Sequence, residues 1–167
     1  MGHMSRGEQG VKRAATAALL ALLATGCGDG NVSPSSVQQK AHTLSQQTLD
    51  ALRPVIGSAG TSVALSEWEQ CTTETPGQHR FDYRYVLTLH VPAAQSKAVM
   101  DAARAHFKEQ GYVPDIPIPN STRVGATEAH SSWWVGVGVS NGSASMFISV
   151  DSKCVFTTHD PPTIASP

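Results

Sequence analysis

Residues 133–150 read WWVGVGVSNGSASMFISV, two runs of alternating apolar residues around Asn141-Gly142. Asn-Gly is the dipeptide that a two-residue type I′ turn prefers, because both central residues need a positive φ. The spacing therefore predicts a hairpin of Trp133–Ser140 against Ser143–Val155. With a two-residue loop, Val139 faces Ala144, Val137 faces Met146, Val135 faces Ile148 and Trp133 faces Val150. That whole side is apolar, and on the other side Gly136 faces Phe147 and Trp134 faces Ser149. A register that sorts one side so cleanly fixes which face is buried.

Working outward, Phe81–Val91 is a second strong strand. Phe81, Tyr83, Tyr85, Leu87, Leu89 and Val91 share one face, while Asp82, Arg84, Thr88 and His90 line the other. Ser62–Cys71 alternates less regularly and loses parity at Trp68, as a bulge would make it do. Between these strands and the hairpin, Ala93–Gln110 carries Ala98, Val99, Ala102, Ala103 and Phe107 at helical spacing, with Gly111 at its end. Ser35 or Ser36 caps an earlier helix whose stripe is Val37, Ala41, Leu44, Thr48, Leu52 and Val55, ended by Pro54 and Gly57. Pro114–Asn120 is extended and proline-locked, and Ser121–Ser132 leaves room for one more short strand. The order helix, strand, strand, helix, strand, strand predicts an α+β fold. Its sheet is antiparallel, of four strands or five, with two helices on one face.

The N-terminus answers a different question. Lys12-Arg13 precedes the uncharged run Ala14–Gly26, too short for a spanning helix of about 20 residues but suited to a secretory signal. Met1–Gly10 fits poorly before such a signal, and reads either as a cloning remnant or as an extension upstream of a start at Val11. Leu23-Ala24-Thr25-Gly26-Cys27 resembles the lipobox of bacterial lipoproteins. The resemblance implies a diacylglycerol on the Cys27 thiol, cleavage just before it, and a mature protein anchored by lipid to the outer face of a bacterial membrane. On that reading residues 1–26 are a signal peptide, 27–36 a lipidated cysteine with a flexible linker, 37–158 one α+β domain and 159–167 a Pro-rich tail.

Three cysteines would leave one over in an exported chain. With Cys27 lipidated, Cys71 and Cys154 remain as an even pair, which in an oxidising compartment reads as a disulfide, the alternative being two separate buried thiols. Beyond residue 26 the chain has nine basic residues against twelve acidic ones, a net charge of −3 with no basic run. Nucleic acid is therefore not an expected partner.

Chemistry-bearing patterns are sparse. Seven histidines include no HExxH or HxH, and the cysteines form no CxxC, so no metal or other cofactor is expected. No serine sits in a Gly-x-Ser-x-Gly turn. Glu67 and Glu69 share a strand face, as exposed edge carboxylates commonly do. The surface that invites a hypothesis is the sheet face away from the helices, where Trp134 and Phe147 lie beside glycines with Arg84, Thr88 and His90. Left open, it is a flat platform for a glycan ring or a partner protein. Covered by residues 113–132, it is a second small core. The composition reads as a binding or accessory lipoprotein of the envelope rather than an enzyme. The alternatives are a small hydrolase with a site assembled from distant residues, or a carrier of an apolar ligand.

Overall fold

A computed structural model describes residues 31–71, 80–140 and 145–162. The lipobox with Cys27, the polar turn at Pro76-Gly77, the Asn141-Gly142 turn and residues 163–167 lie outside the described residues. Helix α1 spans Pro34–Ile56. Ser33 caps it, its hydroxyl accepting from the Ser36 N–H at 3.2 Å, and Pro34 occupies the first turn, where a missing N–H costs nothing. The helix thus begins two or three residues earlier than a cap at Ser35 or Ser36 implies. Val32 is already tied down by backbone bonds to Phe156 and Thr158, so the linker does not extend to residue 36.

Strands β1 (Thr61–Gln70) and β2 (Arg80–Leu89) follow, then a 3-10 turn at Ala93–Gln95 and helix α2 (Ser96–Glu109). Gly111 at φ 71° closes α2. The Gly111 N–H donates to the Lys108 carbonyl and the Tyr112 N–H to the Phe107 carbonyl, and the Tyr112 ring stacks on Phe107 at 5.8 Å. This is the left-handed stop with its apolar contact that Gly111-Tyr112 encodes. Val99, Ala103 and Phe107 are buried, but Ala98 is exposed, half a turn off the stripe assigned to it.

The second half contributes β3 (Val113–Pro114), β4 (Arg123–Thr127), β5 (Trp134–Val139), β6 (Met146–Asp151) and β7 (Val155–Phe156). All pair antiparallel in one seven-stranded sheet of order β1-β2-β6-β5-β4-β3, with β7 pairing β2 beyond the end of β6. The α+β class holds, with more strands than the four or five expected. The excess over five arises because Val155–Phe156 pairs with β2 as a separate strand and Val113–Pro114 pairs with β4, so that residues 113–114 and 123–127 extend the sheet edge instead of folding over a face. Their alternation is hard to read because glycine fills one position and prolines punctuate the rest.

The hairpin register differs from the Asn-Gly expectation by two residues. Val139 pairs with Met146, Val137 with Ile148, Val135 with Val150 and Trp134 with Asp151. A slip of two preserves which side each residue faces, so the apolar side remains buried. It places Gly138, rather than Gly136, opposite Phe147, and the Phe147 ring uses that space. In β1 the bulge falls between Val63 and Leu65, earlier than Trp68, and turns Ser66 and Trp68 toward the helices.

Both helices cover one face. Val37, Ala41, Leu44 and Leu52 of α1 and Val99, Ala103 and Phe107 of α2 share a core with Tyr83, Leu87, Val135, Val137, Ile148 and Val150. Outside the helices, Trp133 plugs the end of this core, with the Lys40 ammonium 5.3 Å from its ring and 2.6 Å from Glu128. Cys71, just past β1, and Cys154, just before β7, form a disulfide with Cα atoms 6.1 Å apart. The tail is anchored further than expected, since Pro161 is buried.

Candidate functional site

The face opposite the helices is laid out in three rows of cross-strand partners. The first runs Thr127, Trp134, Asp151, Arg84, Glu67, from β4 through β5, β6 and β2 to β1. The second runs Gly125, Gly136, Ser149, Val86, Leu65, and the third Arg123, Gly138, Phe147, Thr88, Ser62. Five strands at about 4.8 Å spacing make this a surface roughly 19 Å across. Among the described residues no helix packs on it.

Glycines shape its β5 side. A Cβ built on Gly136 falls 2.2 Å from Cη2 of Trp134, and one on Gly125 falls 2.5 Å from its Cζ2. The indole therefore lies flat across both glycines, and no other residue type admits it there. Likewise a Cβ on Gly138 meets the Phe147 ring at 2.8 Å. Asp115 fixes the rotation of the indole. Its backbone N–H donates to the Gly125 carbonyl at 3.0 Å, which holds the proline-locked segment beside β4, and its Oδ2 accepts from Trp134 Nε1 at 2.9 Å. Lys153 Nζ stands 6.0 Å from the indole centroid, at the outer range of a cation–π contact. Trp134 and Phe147 are both half-buried, one ring face on the sheet and the other turned outward.

A charged cluster occupies the β2 side of the first row. Asp82 lies beside Asp151, and burial, then the Asp151 charge, raise the Asp82 pKa to about 6. Arg84 Nη2 stands 3.8 Å from Asp151 Oδ2 and offsets part of that repulsion. The Lys153 N–H donates to Asp151 Oδ1 at 2.8 Å, and Lys153 itself is held at φ 55°. Ser152, fully buried, supports this turn: its hydroxyl accepts from the Tyr83 N–H at 2.9 Å and donates to the Lys153 carbonyl at 2.8 Å. A left-handed non-glycine residue persists where surrounding bonds over-determine it.

Of the residues singled out in the sequence, Trp134, Phe147, Arg84 and Thr88 all fall on this face. His90 lies just past the end of β2, exposed, with Nε2 3.3 Å from the Ser62 hydroxyl, so it sits at the rim of the third row. Glu67 and Glu69 face the same way from β1, opposite Arg84 and Asp82. Asp115 was not anticipated, because its position depends on pairing between the proline-rich segment and β4. Asp151 was legible from parity, two residues past Ser149, but its meeting with Asp82 needed the β2–β6 register. Among the described residues no group of three or more His, Cys, Asp or Glu is arranged to hold a metal ion, and no helix is long and apolar enough to cross a membrane. Comparisons with protein-family models, curated proteins and solved structures return no match, so the candidate site rests on its own geometry.

Proposed function

We propose that this chain is a lipid-anchored binding protein of the bacterial cell envelope, held outside the membrane through Cys27, with the open sheet face binding wall glycan. The observation that carries the binding role is the Trp134 indole, laid flat on Gly125 and Gly136 and fixed by Asp115. A flat, pre-oriented aromatic ring offers its outer face to the C–H face of a sugar with little ordering cost. Around it, the part-exposed Arg84 and Thr88 supply donors and an acceptor for sugar hydroxyls. Export is supported by the lipobox-like signal and agrees with the Cys71–Cys154 disulfide, a bond that persists in oxidising compartments.

The test is a fluorescence titration with soluble, enzymatically released wall glycan fragments. Stacking shields Trp134, so emission shifts to the blue and saturates, and Trp134→Ala removes the response. A titration that leaves emission unchanged, or a response that survives Trp134→Ala, rejects the glycan assignment. A second reading, a small envelope hydrolase, draws on the Asp82–Asp151 carboxyl pair. It requires the same fragments to be shortened on incubation and the shortening to stop in Asp82→Asn.

A further inference from the structure

The sheet has two edges, and they are built differently. At one, β3 is two residues long and continues into a segment with prolines at 114, 117 and 119, which have no N–H to offer a neighbour. At the other, β1 runs for ten residues, TSVALSEWEQ, with no proline and no basic residue. Among the described residues nothing pairs on its outer side. The Cys71 N–H donates to Arg80 and the His90 N–H to Gly60, which fixes the alternation of the ladder on either side of the bulge. By that alternation the backbone groups of Thr61, Val63, Ser66, Trp68 and Gln70 point away from β2.

Beside this edge α1 leaves part of the sheet bare. It packs on β2 and β6, and Val63, on the helix side of β1, remains 58% exposed. Between α1 and β2 runs a groove of about 470 Å³ lined by His42, Ser45, Gln46 and Asp50 of α1 with Tyr85 and Leu87 of β2. Ser45 is 1% exposed, and its hydroxyl has no hydrogen-bond partner. The Trp68 indole N–H, on the same side of β1, is also buried without one. Buried polar groups are normally paired, and these two stand unpaired on the helix side of the sheet next to the bare strand edge.

We propose that the outer edge of β1 and the adjoining α1 groove bind an extended peptide segment of a partner protein as an eighth strand. Alternate apolar side chains of that segment face Val63 and the groove, and Lys or Arg on the other side meet Glu67 and Glu69. Charge complementarity selects this occupant over a second copy. β1 against β1 brings four carboxylates together with no cation on either strand, and like charges across a ladder are unfavourable. Main-chain bonds supply affinity in this mode and alternate side-chain positions supply specificity. The site meets the open face only at its β1 margin, through Glu67 and Glu69, four strands away from Arg123 and Thr127 of β4, and its occupant is held by the β1 edge rather than by Trp134.

The probe is a capped ten-residue peptide of alternating Val and Lys, fluorescently labelled and titrated by anisotropy against the purified full chain. Saturable binding is expected, weakened at least tenfold by Glu67→Lys/Glu69→Lys and by N-methylation of alternate peptide amides. The five outward amides of β1 exchange quickly in the free chain and slow in the complex. Thermal unfolding of the variant, unchanged within a few degrees, shows that lost binding is not lost folding. Absence of saturable binding overturns the proposal. So does binding that tolerates both the charge reversal and the N-methylated peptide, or outward amides already protected in the free chain. A dimer in sedimentation that protects the same amides overturns it in favour of self-pairing.

Discussion

Replacing Gly136 with alanine tests the arrangement of the open face most sharply. The new methyl would sit 2.2 Å from Cη2, 2.7 Å from Cζ2 and 2.9 Å from Cζ3 of Trp134, well inside van der Waals contact. The strand cannot retreat, because Gly136 is buried between β4 and β6, so the indole must lift off the sheet. Lifting breaks the 2.9 Å bond from Nε1 to Asp115, a charged-acceptor bond worth about 1.5–3 kcal/mol net. Part of that returns when water solvates both groups, while forcing a methyl into a filled site costs about 1–3 kcal/mol. A loss of about 2 kcal/mol is expected, a fall in unfolding midpoint of roughly 5–10 °C for a domain of this size. Iodide quenching of tryptophan emission should rise, since the freed indole is wetted on both faces. Trp134→Ala should nearly abolish the effect of the second substitution, because contacting residues are coupled. A Gly136→Ala chain with unchanged midpoint and quenching, or an equal cost with and without Trp134, refutes the flat-indole geometry.

Other consequences follow from the same contacts. Asp82 has its pKa raised to about 6, so the folded chain holds that proton more tightly than the unfolded one. The resulting stability is fully present below the ordinary carboxyl pKa of about 4 and is lost as pH climbs through 6. An unscreened rise of that size is worth about 3 kcal/mol. With Asp82 only half-buried, about 1 kcal/mol should be lost between pH 4 and 7 in urea titrations. Asp82→Asn should flatten that dependence, and a slope that persists in the variant would locate its origin elsewhere. Cys71→Ser/Cys154→Ser opens a link between residues 83 apart in sequence and should cost about 4.5 kcal/mol in the chain-entropy model, read from denaturant midpoints. Cys27→Ser should move the protein from the membrane pellet to the soluble fraction, and continued pelleting would reject the lipid anchor.

Much of the fold was legible because its strongest strands are strictly alternating. Tyr83, Tyr85, Leu87 and Leu89 announce their buried face in the chain itself, and so do Val135 and Val137 against Ile148 and Val150. The capping of α2 at Gly111 and Tyr112 was equally local. What escaped was decided by tertiary partners. Asn141-Gly142 favoured a two-residue loop, yet the observed register puts Gly138 beneath the Phe147 ring, a packing choice no turn preference contains. Strand β4 was legible only as room for one more short strand within Ser121–Ser132, because Gly125, which pairs with Gly136 and lies under the indole of Trp134, interrupts its apolar alternation. The platform residues Trp134, Phe147, Arg84 and Thr88 were found from parity alone. Asp115 and the Asp82–Asp151 pair were not, since each joins segments remote in sequence.

The central claim is that the open sheet face is the working surface of an envelope-anchored protein. The most direct measurement places a photo-cross-linking residue at Thr88, on that face, or at Gln39, exposed on α1, in living cells. Cross-linking from position 88 to wall glycan, lost when Trp134→Ala is added and absent from position 39, is the predicted result. Equal adducts from both positions, or adducts from position 88 that survive Trp134→Ala, would contradict it.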